Sequence, residues 1–243
     1  MKRIWEELPA LFAAVRKSHE EVGLVGHHDF VHAARVGEIA WQIAFKEWGF
    51  ERLALLSGAA GLCHNADRVL QKKFGVGRRE VPKKKVEKLV LDWLLTESEF
   101  RPPTPTRKEG AELRQRTVID AVLGHDGRNS PDDPQVLIAL MDADRIVNLD
   151  IDLFPRSGQH YHDLPVVDYK HFLDDPEATY RSPKSVLKDI SYSLDWADQN
   201  TPVCVRTKLG KKLAGERATT FRIFFRMLNQ QLEQEGISPY PFD

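Results

Sequence analysis

The stretch HDFVHAARVGEIAWQIAFK, residues 28–46, decides the fold. Within it Val36, Ile39, Ala40, Ile43 and Ala44 recur at intervals of three and four, the period of one face of an α-helix. Asp29 stands just before that pattern, where a carboxylate can accept hydrogen bonds from the free amides of a helix N-terminus. Stepping back four from Val36 reaches His32, a polar ring on the face that should be buried. Followed along the chain, the same period predicts helices over 3–18, 29–47, 51–70, 83–97, 110–125, 134–149, 183–197 and 207–235. Strand-like alternation is scarce, so the expected class is all-α.

Three more of these helices repeat the anomaly. Leu56 and Ala60 lead at the same spacing to His64; Val118, Ala121 and Val122 lead to His125; Ile138 and Ile146 bracket Asp142 at four residues either way. A buried imidazole or carboxylate without a partner costs several kcal/mol. One such histidine is most simply a hydrogen-bonded core residue. Four ligand-type side chains aimed inward from four helices instead suit convergence on one divalent cation, through imidazole nitrogens and carboxylate oxygens.

At these residues the sequence resembles the HD-domain superfamily of metal-dependent phosphohydrolases. That family's pattern is a histidine opening a helix as H-x-x-R-V, then an adjacent His-Asp pair, then a distal Asp, commonly within D-A-D-R. The matching stretches are His32-Ala33-Ala34-Arg35-Val36, preceded by His28-Asp29; Gly61-Leu62-Cys63-His64-Asn65; and Met141-Asp142-Ala143-Asp144-Arg145-Ile146, with His125 where many members carry a further histidine. The likeness covers residues 22–150. A weaker one, through RTKLGKKLA (206–214) and the final helix, is to the closing segment of small, functionally uncharacterised bacterial HD-domain hydrolases.

The resemblance implies a single HD-type helical bundle over 1–243. Residues 22–150 would be the metal-binding core, and 151–243 an irregular, lid-like segment with additional C-terminal helices. It implies a metal-dependent hydrolase acting on a phosphomonoester or nucleotide through a metal-activated water. The expected ligands are His32, His64, Asp142 and Asn65, with His28 and His125 as further pocket residues. The cofactor would be a divalent ion, whether manganese, magnesium, cobalt, iron, nickel or zinc. Arg35 and Arg145 could neutralise charge on the phosphoryl group, or equally form surface ion pairs.

One departure stands out, because the family's His-Asp pair is His64-Asn65 here. A neutral amide in place of a carboxylate weakens the hold on a hard cation. Asp67, three residues after His64 and on the same helical face, could make up the charge in a catalytic role; its alternative is an ion pair with Arg68 or Lys72. The competing expectation is a catalytically degenerate scaffold that binds a nucleotide or a protein partner.

Composition sets the outer limits. The 243 residues hold 35 basic and 36 acidic side chains, a formal charge of −1. That balance argues against a dedicated nucleic-acid partner, although 71–85 carries seven basic residues to one acidic, either an electropositive rim or a solvated loop. No stretch is long and apolar enough to suggest a membrane span. Cys63 and Cys204 are too few for a disulfide scaffold and, with no signal-like amino terminus, point to the cytoplasm. RPPTPTRK (101–108) reads as a surface connection, since its prolines remove amide donors. Residues 150–182, with His160, His162 and His171, are the least regular part.

Overall fold

Helices form where the apolar period runs, and the computed structural model, which describes residues 2–77, 80–102 and 108–242, is all-α. Among the described residues there is no β-strand, only an isolated bridge between Thr179 and Ser182. The elements are α1 (Ile4–Glu7), α2 (Pro9–Glu21), α3 (Phe30–Trp48), α4 (Glu51–Cys63), α5 (Ala66–Phe74), α6 (Lys83–Leu94), α7 (Lys108–Gly124), α8 (Gln135–Val147), α9 (Leu153–His160), α10 (Val186–Tyr192) and α11 (Lys208–Gln234). Arg78 and Arg79 of the basic stretch and 103–107 of the proline-rich connection lie outside the described residues. No helix among the described residues is long and apolar enough to cross a membrane.

Three boundaries differ from the sequence expectation, each for a local reason. The first predicted helix splits at Leu8, because Pro9 opens α2 at a position where its missing amide costs nothing. The helix expected over 51–70 breaks at His64–Asn65 into α4 and α5. There the His64 ring turns back onto the Gly61 carbonyl, and the Asn65 carbonyl starts the next helix by accepting from Arg68 N and Val69 N. Within the irregular 150–182 stretch, residues 153–160 form α9.

The centre of the molecule is α3 crossing α4, with α8 packed against both. The crossing is close because glycines face each other. A Cβ on Gly61 would lie 2.6 Å from the Gly37 Cα, so the two backbones touch where any side chain would separate them. Asp29 caps α3 by accepting from His32 N at 2.8 Å, and Gly49, at φ 73°, ends it in the left-handed conformation. Buried apolar residues from Ile4 in α1 to Phe225 in α11 form one connected core.

The C-terminal third is tied to this centre by a strap. Residues 205–207 run across α8, and the buried Asp142 carboxylate accepts from Arg206 N (2.9 Å) and Thr207 N (2.7 Å). Thr207 then caps α11 by accepting from Gly210 N. A Cβ on Gly210 would lie 2.5 Å from the Thr207 hydroxyl oxygen and 3.1 Å from Asp142 Oδ2, so only glycine fits at the joint.

Candidate metal centre

Because α3 and α4 touch, the residue opening α3 and the residue closing α4 meet. The His32 and His64 rings have centroids 5.1 Å apart, and both are almost completely buried. The carboxylate that joins them is Asp144 of α8. Its Oδ1 lies 3.1 Å from His32 Nε2 and 3.8 Å from His64 Nε2, and the three ligand-type atoms fall within 4.8 Å of one another.

The expectation that Asp142 completes this group is corrected. Two residues along a helix turn the side chain by about 200°, so Asp142 and Asp144 leave α8 on opposite faces. The apolar bracket of Ile138 and Ile146 does mark Asp142 as buried, at 0% exposure, but it is buried under the 205–207 strap. Burial there raises its pKa against the strap's amide hydrogen bonds.

His64 shows what the group lacks. Its Nδ1 is 2.7 Å from the Gly61 carbonyl, which can only accept, so Nδ1 carries the proton. Nε2 is then a lone pair with no hydrogen-bond partner, buried and facing a carboxylate oxygen beyond hydrogen-bonding distance. Burial pushes this imidazole down to about 3, so it is neutral at pH 7. Burial alone would raise Asp144; the His32 hydrogen bond and the nearby imidazoles outweigh it and hold the carboxyl below the usual carboxylate range. Two facing acceptors, one neutral nitrogen and one anionic oxygen, are the donor set that a divalent cation accommodates. His32 Nδ1 is likewise without a partner. Asn148, one helical turn after Asp144, donates to Asp144 Oδ1 at 3.0 Å and orients it. The sequence reading missed Asn148, though its i+4 spacing from Asp144 is a usable signal.

The other expected site residues divide. His28 lies beside the group, its ring 6.1 Å from that of His32, and burial holds its pKa well below the ordinary value. His125 adjoins His64 from the other side, at 5.5 Å, with Nδ1 donating to the Val122 carbonyl. Asn65 is buried at the α4–α5 break, where its amide reaches the His28 carbonyl at 3.5 Å. Asp67 sits 3.9 Å from Arg68 Nε.

Neither expected arginine reaches the site. Arg35 pairs with Asp150 and with Asp152 (2.5 Å) on another face of the molecule, and Arg145 is held by Asn129 Oδ1 (2.6 Å) and the Gly127 and Cys204 carbonyls. Both partner sets are distant in sequence, so helical spacing could not show them.

Asp144 and Asn148 open onto a cavity of about 860 Å³. Its cations are Arg68 and Lys72 from α5 and Arg181 from the loop that carries the Thr179–Ser182 bridge. Lys72 thus draws one part of the basic stretch into the cavity, whereas Lys85 lies 4.3 Å over the Phe74 ring. A second group, Asp168, His171 and Asp175, also brings three ligand-type atoms within 4.8 Å, on a surface loop.

A helical protein with a two-histidine, one-aspartate group beside a cavity lined by Arg68, Lys72 and Arg181 and by Asp126, Asp144 and Asp189 is the class that fold and site define. No family model and no curated protein matches the chain. Among solved structures it is similar in fold to the Lin1889 protein of Listeria innocua, with a TM-score of 0.56, 16% identity, and coverage of 93% of this chain and 96% of that one.

Proposed function

We propose that the protein is a metal-dependent phosphohydrolase of the HD-domain type, acting on a phosphomonoester or nucleotide. The observation that carries the reading is the buried, unpartnered lone pair of His64 Nε2 facing the Asp144 carboxylate. His32, His64 and Asp144 would hold a divalent ion. When bound, such an ion lowers the pKa of its water and polarises a phosphoryl oxygen.

The chain's own residues do the rest. Asn148 fixes the Asp144 carboxylate, and the Gly61 carbonyl keeps the His64 proton on Nδ1, so that Nε2 stays available. Arg68 and Lys72 face the same cavity and attract and position a phosphate there.

The test is hydrolysis of p-nitrophenyl phosphate and nucleoside monophosphates by purified protein loaded with manganese. Asp144→Asn should remove at least about a hundredfold of the turnover, a loss in the range of a catalytic metal's charge stabilisation. Equal turnover by the variant would reject the reading. Asn65 motivates the second reading, a silent scaffold, whose signature is metal-dependent stabilisation without hydrolysis of any phosphoester.

A further inference from the structure

The part of the cavity lining that comes from residues 153–196 brings an acid among aromatic rings, together with Arg181. Asp189 of α10 lies on it, with Tyr161, Tyr180 and Trp196 around the same space. Its carboxylate is held from behind. The Ser157 hydroxyl, fully buried on α9, donates to Asp189 Oδ2 at 2.6 Å, and His27 Nε2 reaches the same hydroxyl oxygen at 3.3 Å. With the Ser157 hydrogen committed to Asp189, the His27 ring must donate, so the order is fixed as His27 to Ser157 to Asp189. Among the described residues the Ser157 bond is the one hydrogen bond of this carboxylate, and Asp189 lines the cavity with His160 nearby.

We propose that Asp189 is a specificity residue that accepts a hydrogen bond from a hydroxyl group of the leaving group, so that the substrate is a phosphoester of a polyol or sugar. This inference rests on the proposed hydrolase reading and adds to it which part of the substrate lies away from the metal. An anchored acceptor flanked by aromatic rings suits a sugar, whose C–H faces pack on the rings while a hydroxyl donates. An ammonium group could also meet a carboxylate among rings. Arg68, Lys72 and Arg181 line the same cavity with Asp126 and Asp144, so charge does not choose between the two, and 2-aminoethyl phosphate serves as the ammonium probe. The partial burial that raises the Asp189 pKa acts in the same direction, since a carboxylate withdrawn from water gains more from a donor. Sites built to bond a substrate hydroxyl discriminate strongly against analogues without it.

The experiment is calorimetry on the manganese-loaded protein with ribose 5-phosphate, n-pentyl phosphate and 2-aminoethyl phosphate. The expected result is at least tenfold tighter binding of ribose 5-phosphate than of the pentyl ester. Asp189→Asn should lower that ratio, because the amide oxygen can keep the Ser157 bond while a neutral N–H, to which a hydroxyl can still accept, replaces the charged acceptor. Asp189→Ala, checked by its melting curve, should bring the ratio to about one by removing the group. A ratio retained in both variants, tightest binding of 2-aminoethyl phosphate, or binding of none of the three would overturn the inference. Discrimination in binding without hydrolysis would overturn only the catalytic reading.

Discussion

Two clusters in this molecule satisfy the same geometric test for a metal, and their surroundings separate them. His32, His64 and Asp144 come from three helices, and two of the three are almost wholly buried. Asp168, His171 and Asp175 come from one loop of eight residues, with the His171 side chain 39% exposed. In the loop the atoms already have partners: Asp168 accepts from Lys170 N, His171 N and His171 Nδ1, and Asp175 accepts from Glu177 N. A cation there would displace hydrogen bonds the turn needs and compete with water. In the buried group Asp144 Oδ1 has partners too, His32 Nε2 and Asn148 Nδ2, but His64 Nε2 faces it as a buried lone pair without one. Proximity of ligand atoms is therefore a weak criterion, and a buried unmatched lone pair is a strong one.

The comparison breaks if the wrong carboxylate turns out to matter. Asp142→Ala strands two buried amide donors under the strap and should lower stability by about 3 kcal/mol, yet leave the manganese-induced rise in melting temperature intact. Loss of that rise in Asp142→Ala, rather than loss of baseline stability, would reinstate Asp142 as the ligand. Asp144→Ala should do the reverse and abolish the metal shift. At an ion concentration a hundredfold above Kd, that shift is worth about 2.7 kcal/mol in the unaltered protein. His171→Ala should leave the shift in place; if it removes the shift, the two clusters exchange roles.

Asn65→Asp sharpens the contrast by adding charge to the buried side. Next to a dication the new carboxylate should tighten manganese binding about tenfold, or about 1.4 kcal/mol. Weaker binding by the variant would separate Asn65 from the metal. Acid probes the buried side without substitution. Burial holds His19 and His27 below their ordinary value of 6.5, His27 at about 3. The unfolded chain takes up protons near 6.5 that these folded rings refuse, so stability should be flat above that pH and fall as pH drops from 6.5 toward 3. His27→Gln should make the fall shallower; melting curves from pH 8 to 5 that are level throughout would contradict the burial of both rings.

The helical class was legible because apolar period is a local property, repeated in every long element from Phe30 to Gln234. His32 and His64 were legible for the same reason, as polar residues on apolar stripes. The choice between Asp142 and Asp144 was not. Periodicity tells that a side chain is buried, not what covers it, and Asp142 is covered by Arg206 and Thr207, more than sixty residues later. For Arg35 the ion-pair alternative holds, with Asp150 and Asp152, while Arg145 is held by Asn129 and backbone carbonyls; the sequence could not name these partners, which are neighbours only in the fold. Asp189 lies in the helix predicted over 183–197, but the hydroxyl that holds it, Ser157, comes from the irregular 150–182 stretch, where no period shows the pairing.

The link from Asp142 to Thr207 joins positions 65 apart in the chain. A contact of that span closes a large loop, and its entropic cost falls on whichever stage of folding makes it. The strap docks on the packed α3, α4 and α8, whose own contacts, such as His32 with Asp144 across 112 positions, span still more of the chain; the expectation is that the Asp142 contact forms after them. The consequence is kinetic: this carboxylate acts as a latch on the finished molecule. Releasing it, as in Asp142→Asn, should speed unfolding while the refolding rate stays nearly unchanged. The lifetime of the native state, more than the route to it, should then hang on a residue outside the cavity lining and outside the His32–His64–Asp144 group.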